Sequence, residues 1–286
     1  IEVIELDGTA HPVSTVASSV IGLVGTAPKG PVNTPTLITG NLVDAIATFG
    51  EDTEGYTIPA ALKAIFDQTG AVVVVVNVAD QTNSAFQNED EEFDVTKITA
   101  TDIVGGVNSD GTYRGIQCLL AAQSECGVQP RILVAPGFTH QAGTGDTKNA
   151  VITALVSVAD RLRATVIADC PNSTKEDASA HQAQYESARL YTVYPWAKVQ
   201  KDSGIVEEPL SARVAGLIAK SDNDRGFWWS PSNQIINGIV GLSKPVDFTL
   251  GDSQCVANYL NEHKVATVIQ QDGYRLWGNR TATADS

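Results

Sequence analysis

The chain has 286 residues, 43% hydrophobic and 18% charged, enough apolar material for the core of one large domain or two modest ones, which excludes a disordered, fibrous or collagen-like chain. Thirty-three Asp and Glu against nineteen Lys and Arg give a formal net charge of −14, and no basic run is present to neutralise phosphates, so nucleic-acid binding is excluded. The longest apolar run, residues 71–76, is far shorter than the roughly 20 residues a membrane-crossing helix needs, so no membrane insertion is expected.

In chain order, residues 1–6 (IEVIEL) are β-prone and read as an extended arm ended by Asp7-Gly8. Residues 13–24 are rich in β-branched and small side chains, and the Gly and Pro of 25–31 make a loop. Residues 37–39 read as a short strand. Leu42, Val43, Ile46 and Phe49 fall at helical spacing, and a second helix is expected from a Thr57 cap through Leu62, Ile65 and Phe66 to Gly70. AVVVVVNV at 71–78 is an unalternating run of β-branched residues, the pattern of a central strand buried on both faces. The acid-rich 81–94, with five acids between Glu89 and Asp94, reads as a solvated loop.

Residues 113–124 turn helical, and 131–136 (RILVAP) are a buried strand. The loop 137–145 then leads to Asp146, the expected cap of an amphipathic helix bearing Val151, Leu155, Val158 and Leu162. Residues 164–169 form the next strand. A polar helix is expected over 175–189, a strand over 190–194 and a helix from Pro209 that buries Leu210, Val214, Leu217 and Ile218. Ser253 is the expected cap of a helix running to His263, and 265–270 are a last strand. Repeated strand–helix alternation predicts an α/β fold: a Rossmann-like, three-layer body with a mostly parallel sheet, plus an N-terminal α+β part and a small surface insertion. The expected divisions are 1–80 for the arm and part of the core domain, 81–105 for the acidic insertion, 106–270 for the α/β body, and 271–286 for a closing segment that rejoins the N-terminal part.

A search for chemistry returns little. Cys118, Cys126, Cys170 and Cys255 include no C-x-x-C pair and read as buried thiols; His11, His140, His181 and His263 stand apart from one another, so no metal is expected. The loop with His140, Gly143, Gly145 and Asp146 lacks the third Gly of a dinucleotide fingerprint, and 22–30 lack the Gly-Lys-Ser/Thr ending of a phosphate loop. No Gly-x-Ser-x-Gly elbow is present, Glu207-Glu208 read as the acidic first turn of a helix, and no catalytic set or cofactor is expected. What stands out is interaction chemistry: Trp228, Trp229 and Trp277 lie in segments dense in Gly, Pro, Asn and Arg.

Five stretches carry a family resemblance: VIGLVGTA at 20–27, QPRILVAPG at 129–137, PNST at 171–174, GFWWSPSN at 226–233 and DGYRLWGNRT at 272–281. In this order, over almost the whole chain, they resemble the tail sheath proteins of contractile phage tails and R-type pyocins. The resemblance implies a structural protein, not an enzyme. Its subunits would stack as hexameric rings around an inner tail tube protein, between baseplate and tail terminator proteins. They would contract to drive the tube through a cell envelope, in a virion tail made in the host bacterial cytoplasm. It also implies arms that add strands to neighbouring subunits, with Ile1, Val3 and Ile4 pairing and Trp277, Asn279 and Arg280 as a hinge toward a C-terminal region that this sequence lacks. With no Met and with Ile at position 1, the sequence is expected to be a piece of a longer product, and by itself a monomer or small oligomer. The alternatives are a type VI secretion or extracellular-injection sheath, an α/β enzyme using His140 and Asp146, and a non-contractile binding module.

Overall fold

The computed structural model describes residues 19–141 and 148–283. The first elements are β1 (Ile21–Gly25), β2 (Thr36–Thr39), α1 (Leu42–Phe49), α2 (Ile58–Phe66) and β3 (Val72–Asn77). After two single 3-10 turns come α3 (Ala100–Val104), β4 (Gly106–Val107), β5 (Tyr113–Arg114), a 3-10 segment (Gly115–Ala121) and α4 (Ala122–Cys126). There follow β6 (Ile132–Val134), α5 (Ala150–Leu162), β7 (Thr165–Asp169), α6 (Lys175–Ala183), β8 (Leu190–Val193), β9 (Ala197–Lys201) and β10 (Gly204–Glu208). The last are α7 (Ser211–Arg225), β11 (Gly241–Leu242), α8 (Val256–Glu262), β12 (Val265–Gln270) and β13 (Tyr274–Trp277).

Eight strands form one sheet in the order β13-β12-β8-β7-β6-β1-β3-β2. All neighbours are parallel except the two outermost pairs, β12–β13 and β2–β3. Alternate side chains leave a strand on opposite faces, and both faces are buried. Ile21, Leu23, Val73, Val75 and Val134 pack with α1, α2 and α7, whereas Val24, Val74, Val76, Leu133 and Val166 pack with α3, the 3-10 segment and α5. This is the expected three-layer α/β fold with a mostly parallel sheet. The sheet takes strands from 21–77 and from 132–277 alike, so a single layer runs through both parts of the chain.

The α2–α7 contact depends on Gly216. A Cβ there would lie 2.7 Å from the Ile65 carbonyl oxygen, so only a residue without one lets the two backbones meet. The buried face of α5 is the one the sequence indicates, with Val151, Leu155, Val158 and Leu162 all inside.

Several local expectations need correction. The 71–78 run is β3, buried on both faces but second from the edge, because β2 folds back antiparallel outside it. Val43 and Ile46 of α1 are exposed while Phe49 and Ala45 are buried, so helical spacing identified the helix but not the covered residues. Thr57 accepts from the Thr26 amide (3.1 Å) and makes no side-chain cap on α2. The cap of α5 is Asn149, whose Oδ1 accepts from the amides of Val151 (2.8 Å) and Ile152 (3.1 Å); Asp146 lies outside the described residues. Cys255, not Ser253, stands at the N-cap of α8. The 175–189 helix ends at Ala183, since Ser187 is drawn into a bridge with Ala282. Residues 113–124 open as a strand, and Gly115 (φ +59) begins a 3-10 rather than an α segment. The hairpin β9–β10 has no counterpart in the sequence reading, and it places Glu207 and Glu208 on a strand, not in a helical turn. The closing segment contributes β13, which pairs with β12 at the edge of the sheet opposite β2.

Candidate functional site

Strand order reverses between β1 and β6, and an α/β sheet binds ligands, when it does, outside the carboxyl ends of its strands at such a point. A cleft of about 550 Å³ lies there, lined by Thr57, Pro136, Gly137, Trp196, Lys201 and Glu208 among others. Three of its charged residues, Asp52, Lys201 and Glu208, are already paired with one another. Lys201 Nζ reaches Asp52 (2.6 Å) and Glu208 (2.8 Å), and the buried Arg213 reaches Glu208 (3.0 Å) and Asp67 (3.0 Å). Burial of Lys201 opposes its charge, but the hydrogen bonds to Asp52 and Glu208 outweigh it and hold the ammonium above its ordinary pKa. The arrangement is a clamp: it ties β9–β10 to the α1–α2 loop and to the first turn of α7.

The neighbouring titratable groups also serve the fold. Asp169, fully buried at the end of β7, is raised to about 6 by burial; the Ser211 hydroxyl and amide both donate to it, so it anchors the start of α7. Burial lowers His181 to about 4 and lowers His140, whose ring stands edge-on to Trp196 at 4.8 Å. Cys118 is pushed up to about 12 and Cys170 is raised as well, mainly by burial, which leaves both thiols protonated and unreactive. Among the described residues, no group of three or more His, Cys, Asp or Glu could hold a metal ion.

The opposite end of the sheet differs. Phe227, Trp228 and Trp229 are 70%, 72% and 53% exposed in the loop that ends α7. Gly226 (φ +95) makes that loop possible, because a Cβ there would sit 2.5 Å from the Trp228 ring. The rings wall a cleft of about 820 Å³ whose other contributors include Arg131, Ile132, Arg163, Tyr191 and Asn279, at the amino ends of β6, β7 and β8. The Arg225 guanidinium lies 5.8 Å from the centre of the Trp229 ring. Asp222, also in the cleft, is raised to about 6 by burial.

The structure separates the residues the sequence singled out. Trp277 is half-buried at the end of β13 with its ring against Phe248 (4.8 Å between centroids). Asn279 faces the aromatic cleft, and Arg280 donates to the Asn261 carbonyl (3.3 Å) at the end of α8. Ile1, Val3 and Ile4 lie outside the described residues. Sequence reasoning did not single out Leu37 on the edge strand β2 or Val43 and Ile46 on α1 as exposed, because that exposure depends on the strand order.

An α/β body that leaves Phe227, Trp228 and Trp229 exposed side by side presents the kind of apolar patch by which proteins meet other proteins. Residues 96–282 match the family described as phage tail sheath protein central domain, and residues 18–78 match the tail sheath protein Gp18 domain III N-terminal region. A putative prophage major tail sheath protein of Pseudomonas aeruginosa (strain UCBPP-PA14) is 40% identical over 293 residues, covering 100% of this chain and 70% of its own length. The tail sheath protein of Escherichia phage P2 is 35% identical, covering 100% and 69%. The sheath complex of an extracellular contractile injection system, PVC, in its contracted state, shares the fold with a TM-score of 0.61 at 18% identity, covering 100% of this chain and 67% of that one. The chain belongs to the phage tail sheath family, whose members are structural proteins and not enzymes.

Proposed function

We propose that this chain is a subunit of a contractile phage or prophage tail sheath. Copies stack as hexameric rings around an inner tail tube protein, between a baseplate and a tail terminator, and shorten to push the tube through a cell envelope. The protein is made in the host bacterial cytoplasm and ends in the tail. Identity of 40% to a prophage tail sheath protein along the whole chain carries this reading. The same identities favour a phage-type tail over an injection-system sheath, because the PVC sheath shares only 18%.

The architecture supports a mechanical role. One sheet with a core on each face and a charge clamp at its carboxyl end moves as a rigid body, as a part that changes neighbours without changing fold must. Links between such bodies have to come from flexible segments and sheet edges. Ile1, Val3 and Ile4 would pair with a neighbour's sheet, and the stretch holding Trp277, Asn279 and Arg280 would act as a hinge. Electron microscopy of the complete gene product co-expressed with its tube protein tests this. Striated cylinders that convert to a shorter, wider form are expected; absence of cylinders, or cylinders of fixed length, refutes it.

A further inference from the structure

Besides its exposed rings, the aromatic cleft is rich in hydrogen-bond donors and poor in negative charge. Arg131 is engaged, since its guanidinium donates to the Leu162 carbonyl (2.5 Å). Arg163, in the cleft wall, and Arg225, against the Trp229 ring, are exposed and make no ion pair among the described residues. The indole N–H groups of Trp228 and Trp229 likewise have no acceptor among the described residues, and Asp222 is the single carboxylate in the lining. A complement to this surface must bring acceptors that carry negative charge, on stems able to cover aromatic faces.

Glu89, Asp90, Glu91 and Glu92 have that chemistry: four consecutive acids, all exposed, with no ion pair among the described residues. They sit on a tight loop. Asn88 Oδ1 accepts from the amides of Asp90 and Glu92 (2.9 Å each), and the Gln87–Phe93 bridge closes the base, so little loop entropy is lost on docking. The loop and the cleft stand at opposite ends of the sheet. The loop follows the carboxyl end of β3, and the Phe93 ring at its base stacks on Tyr56 (6.4 Å), which lines the carboxyl-end cleft. The rings stand at the amino ends of β6 and β7. A rigid body cannot bring the two together within one copy, so their contact joins separate copies head to tail and propagates, unlike a two-fold dimer that closes on itself.

We propose that the acidic loop 89–92 of one copy seats in the aromatic cleft of a second copy. Its carboxylates meet Arg163, Arg225 and the two indole N–H groups, and its methylene stems lie over the rings. With a net charge of −14, copies repel one another on average, so a local match of opposite charges is what lets two of them approach in one orientation. The purpose of the contact rests on the sheath reading, for which it names a pair of surfaces through which neighbours meet. The contact itself is a property of the chain and can fail separately.

Sedimentation velocity of the full chain tests it. At low ionic strength the wild type should form an open-ended series of oligomers as concentration rises, and these should dissociate in about 1 M salt, where the screening length falls to about 3 Å. Arg163→Glu with Arg225→Glu should weaken association about tenfold. Changing Glu89, Asp90, Glu91 and Glu92 to Lys should weaken it to a similar degree, although this brings the net charge nearer zero and reduced general repulsion alone would strengthen association. Each variant keeps one working surface, so a mixture of the two should form dimers and nothing larger, and a chain carrying both reversals should regain the open-ended series. Association unmoved by either reversal overturns the proposal, as does a mixture that grows past dimers or a wild type that stays monomeric at about millimolar concentration in low salt. Contractile cylinders from the wild-type gene product alongside any of these results would leave the sheath reading in place.

Discussion

Gly216→Ala tests whether the α2–α7 contact sets the geometry of the body. The new methyl would lie 2.7 Å from the Ile65 carbonyl oxygen and 3.0 Å from both Ile65 Cα and Gln68 Cγ. Ordinary contact begins near 3.4 Å, so the helices must part by roughly 0.7 Å, and a gap of that order forfeits a quarter to a half of the dispersion energy across the contact. Overpacking of this kind costs about 1–3 kcal/mol, and here the upper part of that range applies because the obstacle is backbone, which has no rotamer to change. Against it stands a gain of about 1 kcal/mol from replacing a helical Gly with Ala. The net expectation is a loss of about 2 kcal/mol, or roughly 4–8 °C in Tm for a domain of this size. Thermal and urea denaturation with an unchanged m-value would measure it. Gly106→Ala is the control, since a Cβ there meets nothing within 4 Å. A Gly216→Ala protein as stable as wild type would refute the reasoning, because propensity would then outweigh packing.

Asn149→Ala should destabilise by about 2–3 kcal/mol in urea melts, since it removes the cap of α5 and orphans the Phe138 and Gln141 carbonyls that the Asn149 amide group serves. Arg213→Ala should cost about 3 kcal/mol by leaving Glu208 and Asp67 without their shared cation, and adding Glu208→Gln should recover part of it in a double-mutant cycle. For pH, Asp169 is raised from 3.8 to about 6, so its contribution is full below pH 4 and is lost as pH rises toward 6. His181 is lowered from 6.5 to about 4, so its contribution is full above 6.5 and is lost as pH falls toward 4. Each spans about 3 kcal/mol and the signs oppose, with Asp222 adding to the first trend and His140 to the second. Wild-type Tm should therefore vary little between pH 4 and 6, while His181→Leu should lose stability as pH rises through that window; a parallel profile for the two proteins would contradict the pair.

The sequence disclosed what local pattern controls. The β-branched run became β3 and the 3.6-residue apolar period of α5 became its buried face, because both are written in consecutive residues. Strand order is not written there. Nothing in 71–78 says that Thr36–Thr39 will pair outside it, so a strand that reads as central stands next to an edge. The clamp was hidden for the same reason: Arg213 meets Asp67 across 146 positions of sequence, and Glu208 looks like a helix-start acid until the β9–β10 hairpin exists. In the aromatic cleft the rings were legible as interaction chemistry, yet Arg131 and Arg163 join them only because the amino ends of β6 and β7 are neighbours in the sheet. Tryptophans in similar sequence surroundings also diverged: Trp277 found Phe248 to pack on, and Trp228 stayed exposed.

The distribution of these features along the sheet bears on how a subunit of the proposed contractile sheath would carry load. Buried ion pairs are poor sources of net stability, since the desolvation they require offsets most of their attraction, but they fix orientation: a hairpin held by Lys201 and Arg213 cannot slide without separating charges in a low-dielectric setting. At the carboxyl ends, therefore, ion pairs hold the hairpin stiffly, while the buried Arg213 Nε and the ring nitrogens of His181 have no hydrogen-bond partner. At the amino ends the opposite holds, with exposed rings, the Arg131 and Arg163 side chains and the start of β1 all together. A load applied through the terminal segment reaches β1 directly, and β1 lies between β6 and β3 inside the sheet, so the pull is shared in shear by parallel backbone hydrogen bonds on both sides. An attachment at β2 or β13 would load a single outer strand pair and peel it. Interior placement of the first strand is thus the arrangement that would let a tethered subunit be dragged to a new position without unravelling, as the contraction proposed above requires.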